Sequence, residues 1–510
     1  MKVTRSNSSK SLNTEKIFSF MLVLLSFVLI LLTLNSNVFS NRIDAHDSSM
    51  FLYFGKGISE GLIPYKDMFD HKGIVLFFIQ YIANIVGLGN IFLGIFLVEA
   101  VFLLIALIFL YKTSYLVSRN HLICGVVILI SSGLFSELYE GGNLSEEYAL
   151  TFISISMYYF LKEIIGDSLK SYHYFLLGLM GGLVFFIRLN MISLWVVFCI
   201  GIAVRKIIKK SFVSLFRKAF YIFLGGMSIV LLIIVFSIMT NSVEEMIFQT
   251  FTLNMQYSST SLKERVAAFI FFFGLFSVYG LPIWFTVLFS KIVIKYREIE
   301  VEKRSVIVLI LIALILNLFT IVVSGRNYRH YGITEIPFLI VLQCIAMGFY
   351  SKKFSRKKNL IVMFVFLFSM LPIFLPTVGE RINNVNRKET PSYQSEQLDI
   401  ARYIKNHSNE DEQIYVHAID ANIYLQSNRF SNSKFFVLPS LNYEEFPKLK
   451  NQFTNSLQKN PPKFIVISKN SFLEEHPNDR KLNKILIEKI KQDYHKVDAF
   501  DKSYYVFEKQ

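Results

Sequence analysis

The chain has 510 residues, a net charge of +15 and a mean hydropathy of +0.45; 53% of its residues are hydrophobic and only 18% are charged. That balance excludes a soluble globular protein, which would need far more polar surface, and points to a polytopic α-helical membrane protein with a polar tail. The basic residues cluster between apolar runs, as cytoplasmic loops do, so the charge speaks for a lipid bilayer as partner and against nucleic acid.

Lys2, Arg5, Lys10 and Lys16 precede the uncharged run Ile17–Leu34, which places the N-terminus in the cytoplasm. The run nearly crosses a hydrocarbon core of about 30 Å. No small-residue cleavage site follows, so it reads as an uncleaved signal anchor. A long loop, 38–89, comes next and holds Asp44, Asp47, Asp67, Asp70, His71 and Lys72. Within it Ile74–Val86 is apolar but short, and Gln80 and Asn84 interrupt it. As a full span it would turn the clusters Arg205–Lys218, Lys291–Arg304 and Lys352–Lys358 outward. As an interfacial or re-entrant helix it leaves all three in the cytoplasm, and the positive-inside bias selects that reading.

Further spans fall near 90–111, 121–137, 146–162, 172–188, 189–204, 218–240, 266–290, 305–323, 331–349 and 359–378, giving about 11 in all and an extracytoplasmic tail. Cys124, Cys199 and Cys344 all lie inside these runs, which argues against a disulfide framework or a zinc site. The outer face then collects 38–89, 138–146, Arg188–Asn190, 241–265 and Ser324–Tyr331. Residues 379–394 read as a linker. In the tail, Ser395–His407, Tyr443–Lys459 and Asp479–Asp493 read as helices. Gln413–His417, Phe435–Leu438, Lys463–Ser468, His495–Phe500 and Ser503–Glu508 read as strands. This alternation predicts a small α/β domain over 395–510, following a membrane domain over 1–378.

Four sets of residues carry a resemblance. They are Asp47 followed by Gly61-x-x-Pro64-Tyr65-x-Asp67 and Asp70-His71-Lys72-Gly73; Gly142-Asn143-Leu144-Ser145-Glu146-Glu147-Tyr148; Ile187-Arg188-Leu189-Asn190; and Gly325-Arg326-Asn327-Tyr328-Arg329-His330-Tyr331. In their order and sidedness they resemble GT-C-type integral membrane glycosyltransferases of the family-39 group, the protein-mannosyltransferases and aminoarabinose transferases. The tail segments Ile423–Arg429 and Pro461–Val466 resemble that group's extracytoplasmic domain.

The resemblance implies transfer of a sugar from a polyprenyl-phosphate donor to a cell-envelope acceptor (a glycan, lipid or protein) at the outer face of the plasma membrane. The attacking hydroxyl must lose a proton, and a carboxylate early in the first outer loop takes it. Asp47 matches that position best, with Asp44 as the substitute. The departing phosphate needs fixed cations. Lys72, Arg188, Arg326, Arg329 and His330 are the candidates, with snorkelling at span ends as the alternative. Glu146 and Glu147 either bind sugar or acceptor or simply favour a helix N-terminus. Asp67, Asp70 and His71 offer a loose spacing for a divalent cation, and no other cofactor is implied. Three rival readings remain: a flippase or transporter for lipid-linked sugars, which needs ionisable groups near the midplane, where Glu99 is the main one, a polysaccharide polymerase or ligase, and a non-catalytic assembly subunit whose tail binds a partner.

Overall fold

The computed structural model describes residues 2–37, 46–166, 169–257, 260–282, 299–351, 392–418, 420–437, 446–469 and 480–510, with single positions or pairs between 285 and 294 and at 379. Asp44 and the run 359–378 lie outside the described residues. The chain divides into two compact units. The first comprises Met1–Phe39, Phe96–Ile234 and Ser258–Val385, and the second Ser40–Ile95, Val235–Tyr257 and Asn386–Gln510.

The chain opens with α1 (Lys2–Thr33), α2 (Asp47–Ser59), α3 (Ile74–Val86), α4 (Ile91–Ser118) and α5 (His121–Tyr139). It continues through α6 (Ser145–Ile165), α7 (Ser171–Phe185), α8 (Ser193–Ile208) and α9 (Phe212–Met239), and later helices include Leu262–Val278, Val301–Val322 and Ile336–Ser351. Among the described residues seven helices are long and apolar enough to cross a membrane. The run expected near 172–188 forms the shorter α7, of 15 residues.

Burial sorts the helices of the first unit. In α5 and in Arg329–Phe349, 83% of the apolar window is buried, against 22% in α1, so the former are central and the latter peripheral. Peripheral helices turn Ile17, Phe20, Phe216 and Leu231 outward. Apolar groups on the outside are what hydrocarbon solvent demands, and helices satisfy their own backbone groups there.

Successive helices run back and forth, so their connections gather at two ends. One end carries the loop 140–144 together with 186–192 and 323–335. Asn35 N–H donates to the Gly141 carbonyl at 2.7 Å, which brings the C-terminal end of α1 there as well. The opposite end carries 119–120, 166, 169–170 and 209–211.

Close helix crossings rest on glycine. A Cβ at Gly178 in α7 would lie 1.8 Å from the Ile222 carbonyl oxygen of α9, and one at Gly225 would lie 2.0 Å from that of Phe175. Backbones approaching this closely are typical of membrane helix pairs, where small residues replace hydrophobic driving force.

In the second unit α2 and α3 pack side by side in the same direction, Asp47 lying near Lys72 at their starts and the Asn84 amide donating to Ser59 Oγ at 2.6 Å at their ends. Phe54 stacks on Phe77 with centroids 3.8 Å apart, and a Cβ at Gly55 would meet the Gln80 carbonyl oxygen at 2.4 Å. The α3 bounds coincide with the short segment singled out in the sequence. Its free side exposes Ile82, Ile85 and Val86, an apolar face suited to a membrane surface.

The tail folds as a four-stranded sheet, order β1-β2-β4-β3, from β1 (Ile414–His417), β2 (Phe464–Ser468), β3 (Tyr494–Lys496) and β4 (Tyr504–Lys509). β1 and β2 are parallel, with Ile414 opposite Phe464, and the other pairs are antiparallel, with Phe464 opposite Glu508 and Lys496 opposite Phe507. The helices Pro447–Lys459 and Arg480–Asp493 supply Leu449, Phe453, Leu457 and Leu486 to the core.

The segment 435–437, expected as a strand, is irregular. Its neighbour Ser431 makes one isolated bridge to Ile414 and donates its N–H to the Tyr53 hydroxyl at 3.0 Å. Phe436 then stacks on Tyr53 at 4.1 Å, and Phe69 N–H donates to the Lys434 carbonyl at 2.9 Å. Packing on α2 and the following loop thus displaces the ladder that the β-rich composition favours.

The α7–α9 crossing predicts that Gly178→Ala and Gly225→Ala each cost about 1–3 kcal/mol, the usual penalty of overpacking. Gly274→Ala serves as control, because nothing lies within 4 Å of a Cβ there. Thermal unfolding of the purified proteins measures this; three equal midpoints would refute the close crossing.

Candidate functional site

The second unit positions Asp47 as the first residue of α2, preceded by His46 with φ 79°. Its Oδ1 lies 2.9 Å from His46 Nδ1 and its Oδ2 lies 3.4 Å from Lys72 Nζ. Lys72 is buried, with its ammonium 4.8 Å from the Phe51 ring centroid.

The loop that delivers Lys72 is held by several bonds. Lys72 N–H donates to Asp70 Oδ1 at 2.8 Å, and the Tyr65 hydroxyl donates to the Lys72 carbonyl at 2.8 Å. Gln249 donates to the Tyr65 carbonyl at 2.7 Å and accepts from Asp70 N–H at 3.2 Å, and Asn254 donates to the His71 carbonyl at 2.8 Å. Asp67 accepts from Ile63 N–H at 2.9 Å and so closes a turn. Among the described residues no three His, Cys, Asp or Glu side chains gather as metal ligands.

The tail contributes a carboxyl that the sequence did not single out. Asp420 is buried, accepts from Gln397 at 3.1 Å, and precedes Ala421, whose N–H donates to Ser49 of α2 at 2.9 Å. Burial holds the Asp420 carboxyl above the usual carboxylate range, against the lowering effects of Asn422 N–H, Gln397 and the His46 charge.

In the first unit the 140-loop end is built around charge. Glu140, Gly141, Gly142 and Asn143 all have positive φ (47°, 101°, 94° and 58°), a run that glycine adopts freely and the other two do not. A Cβ at Gly142 would lie 2.3 Å from Glu99 Oε1. That carboxylate accepts from Asn143 N–H at 2.6 Å and from the Ser36 hydroxyl. Glu99 is therefore fixed at the end of the bundle rather than at its middle.

Asn143 in turn accepts from the Tyr148 hydroxyl at 2.6 Å. At the start of α6, Glu147 reaches back to Leu144 N–H at 3.4 Å, as an N3 carboxylate does. Its other oxygen and the Tyr139 hydroxyl are buried without hydrogen-bond partners among the described residues.

Glu146 accepts from Ser145 at 2.8 Å and forms an ion pair with Arg188. The Arg188 guanidinium lies 4.0 Å from the Tyr331 ring centroid. Beside them is a cavity of about 10 Å³, lined by Glu146, Arg188, Asn190, Asn317, Thr320 and Tyr331. That is room for about one water. Asn317 donates to Glu335 at 3.0 Å and to Thr334 at 2.9 Å, and accepts from Ser193 at 2.6 Å.

The Arg326–His330 stretch is arranged differently from a simple trio of donors. Arg329 pairs with Glu137, and His330 Nδ1 lies 2.6 Å from Glu140 Oε2. Arg326 is half-buried after Gly325, its N–H directed at Ser324 Oγ at 3.4 Å. Glu137, Glu140 and Glu335 escaped notice in the sequence. Their partners lie far along the chain, and no local pattern marks them.

The buried ion pair yields a prediction. Arg188→Ala leaves Glu146, 2% exposed, with an uncompensated charge. That costs about 3–5 kcal/mol. Arg188→Met combined with Glu146→Gln should recover most of the loss. Unfolding midpoints of the three proteins check this, and an Arg188→Ala protein as stable as the parent would remove the pairing from the account.

The family model described as "Putative competence-induced protein Ccs4 N-terminal domain" matches residues 7–378, and that of the Ccs4 C-terminal domain matches 394–510. No curated protein sequence matches the chain. Among solved structures, ArnT from Cupriavidus metallidurans bound to undecaprenyl phosphate is similar with a TM-score of 0.63 at 13% identity, over 96% of this chain and 97% of that one. The same protein in the apo state gives 0.61 at 12% identity, with the same coverage. At such identity the likeness is one of fold, here the GT-C type expected from the order of the polar motifs. With both of its parts matched, the chain belongs to the competence-induced Ccs4 family.

Proposed function

We propose that the protein is a membrane glycosyltransferase that moves a sugar from a polyprenyl-phosphate carrier to a cell-envelope acceptor. The observation that carries this reading is the fold, shared over 96% of the chain with a protein whose structure holds undecaprenyl phosphate. The chemistry assigns two tasks. The acceptor oxygen bonds to the anomeric carbon while its proton passes to a carboxylate, and the bond from that carbon to the phosphate oxygen breaks. Asp47, at the head of α2 between His46 and Lys72, is the base in this reading. The leaving polyprenyl phosphate carries negative charge, which Arg188, Arg326, Arg329, His330 and Lys72 are the candidates to hold. Glu146 and Glu147 orient sugar or acceptor in the same scheme.

The rival transporter reading looks for ionisable groups at mid-membrane. Glu99 was its best support, and its bonds to Ser36 and Asn143 tie it to the bundle end. That weakens the rival.

Asp47→Asn keeps size and hydrogen bonding but removes the proton acceptor. Turnover should fall about 10²–10⁴-fold, with donor binding little changed. The assay supplies radiolabelled sugars on polyprenyl phosphate to purified protein with a cell-wall or membrane extract. Undiminished turnover would move the role elsewhere, Asp44 being next to test. Failure of every sugar donor would sink the transferase reading.

In the proposed topology the N-terminus and the 166-loop end face the cytoplasm, and the tail is extracytoplasmic. The motive is the Lys/Arg asymmetry of the loops. Single cysteines at positions 210 and 502, introduced into a protein whose own cysteines are replaced, should be protected and labelled respectively by an impermeant thiol reagent on intact cells. The reverse pattern would invert the orientation.

A further inference from the structure

The end of the first unit opposite the 140-loop contains a second polar cavity that the transfer reaction does not use. It has a volume of about 320 Å³ and is lined by Glu163, Tyr174, Arg205, Lys206, Lys209, Arg217 and Lys218, together with Gly166, Leu169 and Ser171. Pockets of roughly 300 Å³ and above are of ligand size. Glu146 and Glu163 stand seventeen positions apart on α6. At 1.5 Å per residue the two sites are about 26 Å apart, close to the thickness of a hydrocarbon core.

Charge in this cavity is unbalanced. Glu163 is the one carboxylate among the lining residues, and it is already committed. It pairs with Lys218, lies 3.7 Å from Lys206 Nζ and accepts from the Tyr174 hydroxyl at 2.5 Å. Arg205 donates to the Glu163 carbonyl at 3.3 Å and to that of Ile164. The exposed Lys209 and Arg217 line the same space, so five cations face one carboxylate.

Loop asymmetry alone asks only that cations lie on one side of the membrane. Any solvated placement satisfies it. Here Lys218 is instead buried, its ammonium 4.9 Å from the Tyr174 ring, and the group is folded around an open volume. Beside it, Ile208, Phe212 and Phe216 are exposed on the surface of α8 and α9. An apolar wall next to a cationic recess matches a molecule with a phosphate ester and acyl chains.

We infer that this cavity is a binding site for a phosphate ester, occupied by the headgroup of an anionic phospholipid whose chains lie along Phe212 and Phe216. Arg205, Lys206 and Lys218 form the floor and are fixed by Glu163 and backbone carbonyls. Lys209 and Arg217 close on the phosphate from the rim. The site is separate from the proposed donor site and stands whether or not the protein transfers a sugar.

The test uses the full-length protein in nanodiscs of phosphatidylcholine doped with phosphatidylglycerol, released into detergent and weighed by native mass spectrometry. The parent should retain phosphatidylglycerol in preference to phosphatidylcholine. The Lys209→Gln, Arg217→Gln double variant, which leaves the Glu163 cluster intact, should lose at least about 5-fold of that retention, as expected for two charge-assisted contacts. Its unfolding midpoint in pure phosphatidylcholine should match the parent, which excludes misfolding.

A parallel arm adds inorganic phosphate or ADP to protein in a neutral detergent. Stabilisation of the parent but not of the variant, without selective lipid retention, would keep the phosphate site and reassign its source to a soluble ester. Equal lipid retention by both proteins, with no difference in the soluble arm, would overturn the proposal.

Discussion

Hydrocarbon offers no hydrogen bonds, and that constraint arranges the whole membrane part of this chain. Backbone groups must be satisfied within helices, and a charge can persist only where another group answers it. Polar side chains therefore collect at the two ends of the first unit, and four carboxyl groups there are answered by named partners. Glu99 has Ser36 and Asn143, Glu146 has Arg188, Glu140 has His330, and Glu163 has Lys218. The 140-loop accepts left-handed backbone at four successive residues in order to bring Asn143 N–H to Glu99. Local strain of this kind persists only where surrounding contacts over-determine it.

The second unit is organised differently. Its core is ordinary packing between a small sheet and amphipathic helices, into which residues from the loop before α3 are drawn. Phe69 belongs to the same core as Tyr415, Phe453 and Ile465. The Asp47–Lys72 pair is thus positioned by residues distant in sequence. Gln249 and Asn254 hold the loop, and Ser49 and Tyr53 hold the tail. A carboxylate set at a helix start and braced in this way keeps a fixed direction.

Much of this was legible in the sequence, because hydropathy and charge asymmetry are local signals. The short helix at 74–86 could be told from a span by length and by its Gln and Asn. The residues Asp47, Lys72, Glu146, Arg188 and His330 stood out because polar groups beside apolar runs are conspicuous. Their partners did not. Glu140 meets His330 across 190 positions, and Asp420 approaches α2 from the other end of the chain. Such pairings arise from tertiary packing, which periodicity does not encode. The lost strand at 435–437 has the same origin: its β-forming residues are spent on Tyr53 and Phe69 rather than on a ladder.

One helix links the two ends of the first unit. α6 is clamped by Glu146 to Arg188 at its start and by Glu163 to Lys218 and Tyr174 near its finish. Sliding it by a single turn, about 5.4 Å, would separate every one of these pairs at once. The helix therefore behaves as a strut of fixed length and register between the two ends of the first unit. Peripheral helices such as α9 are instead largely unburied along their apolar windows. A helix locked in this way also sets a gauge: a bilayer thinner or thicker than the helices it contains is met by tilt or by local deformation of the lipid.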